Sequence, residues 1–103
     1  MPLQVPINRA EVAAFCQKWS VREFAVFGSA VRGNFRPDSD VDVMVTFSAE
    51  AHPSLFDLAE MRDELARLFG REVDLVTRRG VEASRNPIRR KSILSTAEVI
   101  HVA

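Results

Sequence analysis

The sequence predicts a small α/β (α+β) domain: a mixed β-sheet with helices packed mainly on one face. Three observations predict it. Apolar runs and period-two alternation at 22–27, 40–47, 72–77 and 98–102 read as strands. Apolar stripes at helical spacing lie between them, in the order helix, strand, turn, strand, helix, strand, helix, strand. The length, 103 residues, suits one core and one domain over 1–103.

The first helix is expected to start at Asn8 as N-cap, with Glu11 reaching back and Ile7 stapled on Val12. Val12, Phe15, Cys16 and Trp19 then fall on one face. Phe24–Phe27 closes a buried strand, and Gly28 punctuates it. A brief helical turn is expected at Ala30–Arg32, closed by Gly33, with a loop at 34–39. In residues 40–47, Val41, Val43, Val45 and Phe47 point one way, while Asp40, Asp42, Met44 and Thr46 point the other. Ser54 and Asp57 open a helix over 55–69, striped by Leu58, Met61, Leu65 and Leu68 and ended by Gly70. In residues 72–77, Asp74 and Val76 oppose Val73 and Leu75. A helical turn is expected at 81–85, after Gly80. Asn86-Pro87 starts a helix to about Ser95, and Glu98–Val102 is the final strand.

Composition is that of a globular protein, 47% hydrophobic and 27% charged, which argues against disorder. Lys+Arg and Asp+Glu are equal at 14, so net charge points to no polyanion partner. The charge is nevertheless uneven. Residues 1–70 carry 7 basic and 10 acidic side chains, and residues 71–103 carry 7 and 4. A solvated face is the plainer reading of the basic tail. The single cysteine, Cys16, excludes an internal disulfide and fits a reducing compartment. There is no signal-like start and no apolar run of membrane-spanning length, so a cytoplasmic protein is expected. His52 and His101 lack neighbours for a zinc site, and Ser29 lacks a histidine for hydrolase chemistry. Arg78-Arg79 and Arg89-Arg90-Lys91 lack interleaved aromatics for base stacking. A solvated or partner-facing surface is preferred there to direct nucleic-acid binding.

Chemistry concentrates in Gly28–Val45. The Gly28-Ser29 turn lets backbone approach a phosphate and adds a hydroxyl donor. Asp40 and Asp42, two apart on a strand, share a face with Cα atoms roughly 6.6 Å apart. They can converge on a hard cation, or on two ions about 3.5–4 Å apart. Asp74 joins them if its strand is a neighbour. The segment is neither a Walker loop nor a dinucleotide fingerprint. The plain alternative is a solubilising sheet face.

Gly28-Ser29, then Ser39-Asp40-Val41-Asp42, then Asp74 together resemble the minimal nucleotidyltransferases (MNT) of the superfamily related to DNA polymerase beta. These are standalone domains often paired as antitoxins with HEPN toxins. The likeness covers 22–77 well, and Asn-Pro-x-x-Arg-x-x-Ile-Leu at 86–94 fits the family's usual ending. The resemblance implies a palm-like nucleotidyltransferase fold. It implies that Gly28 and Ser29 hold a triphosphate, with Arg32, Gly33 and Ser39 completing the nucleotide-binding set. Asp40, Asp42 and Asp74 would be the catalytic and Mg²⁺-binding residues for two ions, with ATP as donor. The third acid varies most among relatives.

The function implied is transfer of a nucleoside monophosphate, AMP from ATP in the first place, to a hydroxyl of a HEPN toxin. Two alternatives stand beside it: neutralisation by binding alone, and transfer to RNA or a small molecule. So short a chain leaves little room for an acceptor-binding domain, which favours a protein partner. A homodimer or a hetero-oligomer with the toxin is expected from the resemblance.

Overall fold

A computed structural model describes residues 8–28 and 40–102. The Ile7 staple, the turn at 30–32 and the loop at 34–39 lie outside the described residues. The elements are α1 (Arg9–Trp19), β1 (Val21–Phe27), β2 (Val41–Phe47), α2 (Leu55–Phe69), β3 (Val73–Thr77), α3 (Arg78–Glu82), α4 (Pro87–Thr96) and β4 (Glu98–Val102).

Side-chain caps set the helix starts. Asn8 Oδ1 accepts from the Glu11 N–H, and Asn8 Nδ2 donates to Glu11 Oε1, both at 3.1 Å. Ser54 and Asp57 exchange a capping box: Ser54 Oγ accepts from the Asp57 N–H at 3.1 Å, and the Ser54 N–H donates to Asp57 Oδ2 at 2.9 Å. Gly70, at φ +67°, ends α2 in the left-handed conformation that glycine adopts without penalty. Ser54→Ala is expected to lower stability by about 1 kcal/mol, read as a shift of the urea midpoint at unchanged slope.

The third helix departs from expectation. The turn expected at 81–85 is a helix at Arg78–Glu82, with Gly80 inside it. Thr77 Oγ1 accepts from the Gly80 N–H at 3.0 Å, so the chain turns helical directly off β3. Strand starts shift by a single residue, within ordinary fraying of element ends.

The sheet has the order β3-β2-β1-β4. β1 is antiparallel to β2 and β4, while β2 and β3 are parallel and joined through α2. The two longer helices lie on one face. There Val12, Phe15 and Cys16 of α1 and Met61 and Leu65 of α2 bury Phe24, Val26, Val41, Val43, Val45 and Val73. Phe15 and Phe24 meet edge to face, with ring centroids 6.0 Å apart. Arg9 Nη1 donates to the Ile100 carbonyl at 2.7 Å and ties α1 to β4.

The other face is not bare. Val81 of α3 and Ile93 of α4 pack on Ala25, Phe27 and Met44. The alternation of β2 is therefore borne out on both sides, and Met44, on the carboxylate side, is buried as well.

Cys16 is a core residue. Desolvation pushes its thiol pKa up from 9.0 to about 11. The folded chain thus holds this proton more tightly than the unfolded chain. The associated stability is fully present below pH 9 and is lost as pH rises through about 11. Urea unfolding across that window is expected to show a steeper decline for the wild-type chain than for Cys16→Ala.

Candidate active site

β1, β2 and β3 bring their carboxylate-side residues into one row. Phe27 pairs with Asp42 across the antiparallel ladder, and Asp42 pairs with Asp74 across the parallel one. Directly opposed residues of neighbouring strands share a face. Asp42 and Asp74 therefore stand side by side, the first half-buried and the second exposed. Both line a hollow of about 410 Å³, together with Gly28, Asn86, Arg89 and Thr96.

Gly28 ends β1 against Asp42. Its φ of +73° is one that side-chain-bearing residues rarely adopt. A Cβ built there would lie 3.2 Å from Asp42 Cγ and run into the Asp42 Oδ2 oxygen. Two separate constraints, conformation and space, therefore demand glycine at the turn. Asp40 stands exposed immediately before β2, two residues from Asp42, and is not among the described walls of the hollow. Ser29, Arg32, Gly33 and Ser39 lie outside the described residues.

Two like charges opposed on neighbouring strands repel. A hard divalent cation compensates them, and an all-oxygen donor set is the one Mg²⁺ prefers. Among the described residues no group of three His, Cys, Asp or Glu side chains gathers as a metal cluster. The donor chemistry of Asp42 and Asp74 fits Mg²⁺, with Asp40 two residues upstream on the chain.

The far wall of the hollow comes from α4. Asn86 Oδ1 caps that helix by accepting from the Arg89 N–H at 3.1 Å. Arg90 Nη1 donates to the Ser84 carbonyl at 2.8 Å, so Arg90 fastens the start of α4 to the preceding loop. The neighbouring Arg89 instead lines the hollow. No carboxylate among the described residues forms an ion pair with it. The sequence showed only a basic run, 89–91. Nothing in that run separates Arg89 from Arg90; only the fold does, by giving Arg90 to the Ser84 carbonyl and Arg89 to the hollow. No helix among the described residues is long and apolar enough to cross a membrane.

Residues 12–99 match the nucleotidyltransferase domain family. A relative from Thermococcus cleftensis, protein adenylyltransferase MntA, is 43% identical over 67 residues, covering 65% of this chain and 66% of its own. Among solved structures, a toxin-antitoxin crystal structure with AMP-PNP superposes at a TM-score of 0.72 and 19% identity, over 94% of this chain and 75% of that one. A complex of tri-AMPylated Shewanella oneidensis HEPN toxin with MNT antitoxin superposes at 0.64 and 17%, over 93% and 71%. At these identities the two structures speak for the fold.

Proposed function

The chain belongs to the nucleotidyltransferase domain family, and on that premise we propose that it is a Mg²⁺-dependent protein adenylyltransferase. It transfers AMP from ATP to a hydroxyl of a HEPN-type toxin and so neutralises it. The observation that carries this reading is the pairing of Asp42 with Asp74 on one face, beside the glycine that ends β1. The named activity of the Thermococcus relative and the toxin-bound state of the Shewanella neighbour support the substrate class.

Gly28 and Ser29 hold the triphosphate, with Arg32, Gly33 and Ser39 completing its binding site. Asp40, Asp42 and Asp74 would hold the metal. Bound there, Mg²⁺ would neutralise charge building on the phosphate oxygens. Asp74 accepts the proton of the acceptor hydroxyl. The hydroxyl oxygen bonds to the α-phosphorus, the bond from that phosphorus to the pyrophosphate oxygen breaks, and pyrophosphate leaves. Positioning and charge, rather than a covalent enzyme intermediate, supply the rate. The acceptor comes from the partner.

The test is a HEPN-type toxin, incubated with this chain, ATP and Mg²⁺. An AMP adduct on the toxin and loss of its activity are expected. The double variant Asp40→Asn, Asp42→Asn should bind the toxin yet leave it active. Full neutralisation by that variant would replace catalysis with binding alone.

A further inference from the structure

A second hollow adjoins the carboxylate one at the first turn of α4. It measures about 310 Å³, and its walls include Leu58, Val76, Val81 and Ile93. Arg89 and Ile93 line both hollows. The second hollow also borders Leu75–Thr77 of β3. Among the described residues β3 is an outer strand, paired with β2 on one side only. Its backbone N–H and C=O groups that point away from β2 therefore have no strand partner among the described residues.

The two spaces differ in chemistry. One carries Asp42, Asp74 and Gly28. The other has aliphatic walls, with Thr77, Ser84, Arg89, Arg90 and the edge of β3 as its polar side. Arg90 is held by the Ser84 carbonyl, whereas Arg89 stands at the junction with no ion pair among the described residues. An aliphatic slot beside a free strand edge suits a flat heteroaromatic ring, which stacks on apolar walls and bonds through its rim. A guanidinium at the mouth suits the phosphates attached to such a ring. The reach is right as well, because Val76 follows Asp74 by two residues, about 6.6 Å along a strand.

We propose that the donor nucleotide spans both hollows, its base in the slot at the open edge of β3 and its phosphates gripped by Arg89 on the way to Asp42 and Asp74. This rests on the nucleotidyl-transfer reading above and adds the base site, which the sequence motifs leave unmarked.

Calorimetric titration of the full chain in Mg²⁺, with ATP and with inorganic tripolyphosphate, tests it without any turnover. Val76→Phe narrows the slot from the strand, and Leu58→Phe narrows it from α2. Each is expected to weaken ATP by about tenfold or more while leaving tripolyphosphate unchanged. Arg89→Gln is expected to weaken both ligands by about tenfold or more. Folded Val76→Phe and Leu58→Phe variants that bind ATP as tightly as the wild-type chain would overturn the base site. Unchanged tripolyphosphate binding by Arg89→Gln would overturn the phosphate grip. A wild-type chain that binds neither ligand would overturn the nucleotide reading itself. One that binds ATP with the expected variant pattern yet labels no partner would leave the base site standing and remove the proposed reaction.

Discussion

Asp42→Asn is expected to lower AMP transfer by roughly a thousandfold or more, equivalent to about 4 kcal/mol of transition-state stabilisation. The change keeps the shape of the side chain and removes its charge. Asp42 sits between Phe27 and Asp74 in the register of three strands, so no other carboxylate is aligned to replace it. A neutral amide beside Asp74 removes one of the three carboxylates proposed to hold the divalent cation, and the one that lies in register between the strands. The backbone of β2 is held by ladders on both sides, and Val41 and Val43 remain buried on the opposite face. The variant should therefore fold, as read by circular dichroism, while the rate of adduct formation collapses. Asp74→Asn is expected to lower the rate as well, and by less, since Asp74 is the more exposed of the two.

Gly28→Ala carries the second large effect, and it acts on stability and activity together. At φ +73° an alanine meets the left-handed penalty of about 1–2 kcal/mol. Its Cβ also runs into the Asp42 carboxylate, so either the strand end or the carboxylate must move. A displacement of the order of 1 Å in a group proposed to bind metal or phosphate is expected to cost about 100-fold in rate. Gly70→Ala is the control. Gly70 has a similar φ of +67°, but nothing lies within 4 Å of its would-be Cβ. It is expected to lose about 1 kcal/mol of stability through backbone strain alone and to transfer AMP at the wild-type rate. Urea midpoints and initial rates on the four chains, wild type, Asp42→Asn, Gly28→Ala and Gly70→Ala, separate these effects.

What the sequence could disclose follows from how local each signal is. Side-chain alternation in β2 is a property of one strand, so the opposed faces of Val41 and Asp42 were legible from eight residues. Caps are equally local, and Asn8, Ser54 and Asn86 stand where their side-chain chemistry requires. The start of α3 was missed because Gly80 reads as a breaker; the Thr77 hydroxyl that caps it makes the glycine a first-turn residue instead. Burial of Met44 is a tertiary fact. Alternation tells which way it points, but only the fold brings Val81 and Ile93 over it. The pairing of Asp42 with Asp74 is of the same kind, since it depends on β3 lying parallel beside β2. Arg89 and Arg90 are indistinguishable in a basic run. What separates them is that one is used by the Ser84 carbonyl and the other faces the carboxylate hollow.

The most direct measurement compares ATP labelled on the α-phosphate with ATP labelled on the γ-phosphate, each mixed with this chain, Mg²⁺ and a toxin of the proposed HEPN type. Nucleotidyl transfer predicts that the α-label appears on the toxin, that the γ-label appears only in pyrophosphate, and that both signals vanish with Asp42→Asn. A γ-label on the toxin, or an α-label that survives Asp42→Asn, would contradict it.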